Sequence, residues 1–294
     1  MPIGGKEAKN KEDELQQENL QKKDFYHNGI LKEMLLTMRG PDSQVAIITA
    51  ASEVPQEIAQ DYVSALGELG CNNIMPLHFE NRDEADKQEH LHYITKCNIV
   101  LFTGGDQIKL VNKLRNSQFL SIIRERYIND ENFLFAGTSA GAAAMSEFMI
   151  MEGGNDESIL KGAVKEEEGL SFLPKTIIDT HFMSRGRLTR IVELLLKHDL
   201  CTAFGICEDS ALIIRQGKIM KAIGSGVIVV LEGGNVGKTN YENIGEFDPI
   251  YIEEIKMRIL SRGAGYNLEE RKFLEVKDRE IGETGRLKNL EISN

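Results

Sequence analysis

The sequence is short of cysteine and pairs none of it. Its four cysteines, Cys71, Cys97, Cys201 and Cys207, form no Cys-x-x-Cys. That removes the usual signature of a zinc ribbon or a dithiol redox motif, and the expectation is four buried, reduced thiols in a cytosolic protein. Positive charge is also scarce: 35 Lys and Arg stand against 46 Asp and Glu, a formal net charge of -11. Such a chain repels polyphosphates, which excludes nucleic acid as an expected partner but not a local basic pocket. No long uncharged apolar stretch occurs, and the opening "MPIGGKEAKNKEDELQ" has no apolar signal core. The expected location is therefore cytoplasmic, with no membrane span and no export. There is no His-Glu-x-x-His and no Cys/His cluster with ligand spacing, and no P-loop lysine follows "TGGDQ". No metal and no cofactor are expected.

What remains is the composition of an ordinary globular chain, with 41% hydrophobic and 28% charged residues in 294. A sizeable core is affordable, and a single α/β domain over residues 1–294 is the expected organisation. Residues 1–24 read as a charged, Gln-rich arm, and residues from about 265 to 294 as a charged tail. Between them, apolar runs and helical patterns alternate. "QVAIITAAS" reads as a buried strand, and Pro55 opens a helix whose apolar residues share one face. "NIMPLHF" and "NIVLFTGGDQ" are further strands, "DEADKQEHLHYITKC" is helical, and two short helices precede "FLFAGT". This rhythm predicts a doubly wound, mostly parallel sheet with helices on both faces and ligands at the carboxyl ends of the strands. "TIIDTHF" leads into a helix from Arg187 to about His198. The stretch "GICEDSALIIRQGKIMKAIGSGVIVVLEG" is broken by Gly and Gln-Gly, which predicts β-hairpins. A helical stretch near Tyr251 to Leu260 is expected after it.

The chemistry centres on "FLFAGTSAGAAAM", residues 133–145, where Ser139 stands between Gly137 and Gly141. A nucleophile at the tip of a tight strand-to-helix turn needs small residues two positions to either side. The helix that follows offers backbone N–H groups to a developing oxyanion. The competing reading is a tight turn that packs a helix on a sheet. A serine nucleophile needs a base. His90 and His92 point to different sides of a charged helix, His27 and His198 read as surface residues, and His78 reads as a core or rim histidine. His181 ends the run "TIIDT" at a strand end and is followed by the basic cluster "SRGRLTR". Glu208 and Asp209 follow "AFGIC", also at a strand end, and spacing alone does not choose between them as the carboxylate that orients the base.

Together "FTGGDQ", "AGTSAGAAAMS", "IIDTHFMSRGRLTR" and "GICEDSALII" resemble the cyanophycinase branch of the serine peptidases that also contain aspartyl dipeptidases, in order and spacing from about Val45 to Val230. The resemblance implies Ser139 as nucleophile, His181 as base and Glu208 as third member of a triad. It implies Gln107, Asp179, Arg185, Arg187 and Arg190 in the substrate pocket, with the backbone at Gly105 and Ala140 as oxyanion hole. Where the family carries glutamine before the histidine, this chain has Thr180, a shorter side chain in the pocket. The family's opening Gly-Gly follows an apolar strand; here only "MPI" precedes Gly4-Gly5, and a vestigial first strand or a late start is expected. The implied substrate is cyanophycin, a poly-aspartate carrying arginine on each side-chain carboxyl, cut from an end to β-aspartyl-arginine dipeptides. Arginines of the pocket are expected to meet carboxylates, and Asp179 the guanidinium. A homodimer is implied. The alternatives are a dipeptidase for aspartyl or isoaspartyl peptides and a non-catalytic binding protein on the same fold.

Overall fold

The computed structural model describes residues 1–5, 29–153, 159–234 and 236–275. Most of the expected charged arm, and the chain after residue 275, lie outside the described residues. The first five residues are not arm. Pro2–Ile3 is strand β1, buried at both positions and inserted in the main sheet.

Four apolar runs form the parallel half of that sheet: β2 (Val45–Ile48), β3 (Ile74–Leu77), β4 (Ile99–Phe102) and β5 (Leu134–Thr138). The order is β3-β2-β4-β5-β1, and each neighbouring pair in it is parallel. Alternation along the strands serves two cores. Val45, Ile47, Ile99 and Leu101 face helices α1 (Ile30–Thr37) and α2 (Pro55–Glu68) on one side. Ala46, Ile48, Val100 and Phe102 face the apolar residues of α5 (Gln107–Leu114) and α6 (Gln118–Asn129) on the other. A sheet covered on both faces has no solvent side, which is why these runs are apolar at nearly every position. Local signals set the helix starts: Pro55 is at a first helical position, and Asp106 and Ser117 accept N–H bonds from the first turns of α5 and α6. "DEADKQEHLHYITKC" is helical but divided, into α3 (Arg82–Ala85) and α4 (Gln88–Ile94).

The β-rich third supplies the antiparallel half, as the broken pattern predicts. Strand β10 (Ser210–Arg215) pairs with β1 and turns at Gln216–Gly217 into β11 (Ile219–Gly224). Residues expected to begin the tail instead form β14 (Ala264–Asn267) and β15 (Lys272–Glu275), which extend this sheet. A hairpin, β6 (Phe148–Glu152) with β7 (Lys165–Glu168), follows the elbow. A second sheet has the order β13-β12-β9-β8. Its parallel pair is β8 (Thr176–Thr180) and β9 (Thr202–Ile206), joined through α8 (Leu188–Lys197), with β12 (Ile228–Glu232) antiparallel to β9. The helix expected near Tyr251 to Leu260 is replaced by strand β13 (Lys256–Leu260). Its charges explain the error: Lys256 and Arg258 pair across the strands with Glu232 of β12, which is 1% exposed. A strand puts both cations on the face of that buried carboxylate, and a helix would not. Among the described residues, no helix is long and apolar enough to cross a membrane, and all four cysteines are free and buried.

Candidate active site

Three strands from two sheets deliver the candidate triad. Ser139 follows β5 in the main sheet, His181 follows β8 and Glu208 stands two residues past β9 in the second. All three sit at the carboxyl ends of parallel strands, where an open α/β sheet presents its loops. Ser139 Oγ lies 3.1 Å from His181 Nε2, and His181 Nδ1 lies 3.0 Å from Glu208 Oε1. The imidazole is thus bridged between a hydroxyl and a carboxylate, the arrangement that fixes one tautomer and orients the ring. Glu208, rather than Asp209, makes that contact. Asp209 points away and holds Ser225 through Oδ2.

The backbone is strained at each of these points. Ser139 has φ 51°, His181 φ 52° and Asp209 φ 45°, all in the left-handed region that non-glycine residues avoid. Each such residue costs about 1–3 kcal/mol, and persists only where its surroundings over-determine it. The elbow glycines have a steric reason. A Cβ at Gly137 would lie 2.4 Å from the carbonyl oxygen of Gly141, and one at Gly141 would lie 2.4 Å from that of Phe102. The glycines therefore let helix α7 (Ala140–Ala143) rest directly on β4 and β5. This helix is a single turn, shorter than the alanine run suggests. Among the described residues, neither the Ala140 N–H nor the Gly105 N–H has a hydrogen-bond partner, and both residues line the cleft that holds Ser139.

The remaining pocket candidates line the same narrow cleft, with Gln107, Asp179, Thr180, Arg185, Arg187 and Arg190 around Ser139. They are not equivalent. Gln107 uses its amide N–H to hold the Ile150 carbonyl at 2.9 Å, so its own oxygen remains to accept a donor. Asp179 is 2% exposed and is occupied by protein cations. Arg190 grips both carboxylate oxygens, and Arg187 Nη1 reaches one of them at 3.0 Å and the Thr180 carbonyl at 2.7 Å. The expected contact of Asp179 with a substrate guanidinium thus meets a carboxylate already neutralised twice. Burial lowers the Arg187 pKa, Asp179 opposes that effect, and the like charges of Arg190 and Arg185 reinforce it. Among the described residues, the buried Arg187 Nε has no hydrogen-bond partner. Arg185 is exposed and, among the described residues, makes no side-chain hydrogen bond or ion pair. The cleft therefore presents positive charge inside a strongly acidic protein.

One residue of the site was missed from sequence. Ser184 Oγ donates to Glu208 Oε1 and also lies 3.1 Å from the His181 carbonyl. Partial burial pushes the Glu208 carboxyl up, but the Ser184 hydroxyl, its own backbone N–H and His181 together outweigh that, and it lies below the ordinary carboxylate value. No sequence signal singles out this serine from others in a polar turn. The rival histidines are engaged elsewhere or stand apart. His78 lies between Thr49 and Glu80, and His198 stacks on Phe148 and binds Glu166. His90 meets the Glu84 carbonyl, His92 is exposed, and His27 lies outside the described residues. A larger cleft of about 380 Å³ between Arg115 and Arg124 lies elsewhere, with both arginines bound to protein oxygens. Among the described residues, no group of three His, Cys, Asp or Glu side chains is placed to hold a metal ion.

Comparison with known proteins concerns the chain as a whole. The model of Peptidase family S51 matches residues 19–222. A cyanophycinase of Geminocystis herdmanii is 32% identical over 228 residues, 78% of this chain and 84% of that one. A cyanophycinase of Trichormus variabilis is 29% identical over 235 residues, 80% of this chain and 78% of that one. Among solved structures, a peptidase from an acI-B1 Actinobacterium superposes with a TM-score of 0.58 at 19% identity, covering 82% of this chain and 92% of that one, which speaks to the fold alone.

Proposed function

We infer the function from one premise: this chain belongs to peptidase family S51, a serine-type family, and is therefore a peptidase. We read it as an exopeptidase on cyanophycin that releases β-aspartyl-arginine dipeptides. The observation that carries this reading is the unbroken chain Ser139–His181–Glu208, with contacts of 3.1 and 3.0 Å, beside a cleft lined by arginines. The relatives named cyanophycinase support the choice of polymer.

In this reading Ser139 Oγ attacks the scissile carbonyl carbon while its proton passes to His181 Nε2. Glu208, accepting at Nδ1, stabilises the imidazolium that forms. The oxyanion is received by the N–H groups of Gly105 and Ala140. His181 then gives its proton to the leaving amine, which departs, and water hydrolyses the acyl-enzyme by the same relay. Arg185, exposed at the mouth, meets a substrate carboxylate, for which a guanidinium supplies two parallel donors, while Arg187 and Arg190, which hold Asp179, add positive charge deeper in the cleft. The unused oxygen of Gln107 accepts from the substrate. Thr180 leaves more room than glutamine would and favours a bulkier group beside the base. No cofactor enters the scheme. A cytoplasmic homodimer is the assembly we propose, to be checked by light scattering of the purified chain.

The test is incubation with purified cyanophycin and mass analysis of the products. β-Aspartyl-arginine as the main early product supports the reading. Turnover of short β-aspartyl peptides with the polymer left intact would replace it by the dipeptidase alternative.

A further inference from the structure

The Gly4-Gly5 pair, which has no obvious place in a charged arm, lies at the centre of the triad. Three consecutive carbonyls leave this segment, and each meets a different catalytic loop. The Ile3 carbonyl accepts the Ser139 N–H at 3.0 Å, the Gly4 carbonyl accepts the His181 N–H at 3.2 Å, and the Gly5 carbonyl accepts the Asp209 N–H, next to Glu208, at 3.1 Å. The donors are the strained residues themselves: Ser139, His181 and Asp209 all have positive φ. Ser139 follows β5 of the main sheet, His181 follows β8 of the second, and Asp209 lies between β9 of the second and β10 of the main, so the segment from β1 to Gly5 is what all three share. The Gly4 N–H in turn donates to the Ser210 carbonyl at 2.9 Å, which fixes the register of the segment.

The glycines are also contact surfaces. Gly5 has φ +94°, and a Cβ there would lie 2.5 Å from His181 Cε1 and 2.7 Å from Nε2, the nitrogen that faces Ser139. A Cβ at Gly4 would lie 1.8 Å from the Cys207 carbonyl oxygen. The imidazole therefore rests on the bare backbone of Gly5, with Ser139 at one nitrogen and Glu208 at the other.

We propose that Ile3-Gly4-Gly5 is the positioning element of the triad, which sets the three catalytic loops in register through consecutive carbonyls and seats the His181 ring on Gly5. This rests on the reading of Ser139, His181 and Glu208 as the triad. Gly5 is a positioning residue, because it acts through His181. A methyl group at Gly5 meets the ring first, and ordinary carbon contacts of about 3.5 Å require the ring to recede by about 1 Å. A displacement of that size in a reacting group costs about 10²-fold in rate. The substrate pocket is not touched, so the loss falls on kcat.

The test is Gly5→Ala in the full chain, beside wild type. Expected are a folded protein by far-ultraviolet circular dichroism, kcat lower by about 10²-fold with KM within about twofold, and a shifted or lost low-field proton signal of the histidine bound to its carboxylate. A folded variant with wild-type kcat and an unchanged histidine signal overturns the proposal. So does an unfolded one, because the glycine then serves folding. In wild type, amide hydrogen exchange of Ser139, His181 and Asp209 should report one common opening, and three unrelated opening free energies contradict the shared anchor. Fluorophosphonate labelling of wild-type Ser139 separates the two readings. Without an adduct the triad reading itself fails, whereas an adduct in wild type with full activity in Gly5→Ala removes only the positioning role.

Discussion

Asp179→Asn separates a structural ion cluster from a substrate contact. The carboxylate side chain is 3% exposed, and its two cations, Arg190 and Arg187, are 9% and 13% exposed. The amide cannot balance either charge, and its NH₂ donors face other donors. Two guanidinium groups are then left buried without a counter-ion. Breaking a buried pair by removing one partner costs about 3–5 kcal/mol. That is a large share of the roughly 5–15 kcal/mol that holds a domain folded. The assay is equilibrium urea unfolding, where the midpoint should fall while the slope stays constant. Activity is read on β-aspartyl peptides with and without arginine. Since Arg187 and Arg190 occupy the carboxylate, kcat/KM should fall by similar factors on both. A stability change below about 1 kcal/mol, well short of a broken buried pair, together with a loss confined to arginine-bearing peptides, would refute this reasoning and make Asp179 the guanidinium contact expected from sequence.

Ser184→Ala removes a hydroxyl donor from Glu208 and should lower kcat with little change in KM, with Ser184→Thr restoring part of the loss. The Glu208 carboxyl lies below its ordinary value in the folded chain, so the stability it contributes is fully present above that ordinary value and is lost as pH falls through the folded one. Removing the donor raises the folded value, so acid unfolding of Ser184→Ala, followed by circular dichroism, should begin at a higher pH than in wild type. Replacing Glu208 by glutamine should lower kcat by about 10⁴-fold, the loss seen when a triad carboxylate becomes an amide. His181→Ala should lower kcat by about 10⁶-fold, as loss of a triad histidine does, and a variant that keeps a tenth of wild-type turnover would exclude His181 as the base. Arg185→Lys keeps the charge but loses the fork, and should cost roughly 1.5–3 kcal/mol in kcat/KM if the arginine binds a carboxylate. Wild-type values in both Arg185→Lys and Arg185→Ala would make it a surface charge.

The parallel half of the main sheet was legible because its strands are covered on both faces and read as unbroken apolar runs such as "VAII" and "IVLF". The hairpin at Gln216–Gly217 was legible from its turn chemistry. Strand β13 was not, because what favours it is an ion pair with Glu232, which is distant in the chain. The same holds for β1. Two residues carry no periodicity, and their place between β5 and β10 depends on partners more than a hundred residues away. At the candidate site, position at strand ends marked Ser139 and His181 as candidates. The choice of Glu208 over Asp209 came from resemblance, since adjacent acidic residues have equal spacing, and the structure orients only the first toward the imidazole. Ser184 left no signal, because a serine in a polar turn becomes informative only once its neighbour in space is known.

The most direct measurement is the site of covalent modification by a small fluorophosphonate, mapped by peptide mass in wild type, Ser139→Ala and His181→Ala. The account predicts a single adduct on Ser139 in wild type and none in Ser139→Ala. It predicts a much slower adduct without His181, and a turnover loss of about 10⁶-fold for Ser139→Ala. An adduct on another residue, or a Ser139→Ala variant that keeps a tenth of wild-type turnover, would contradict it.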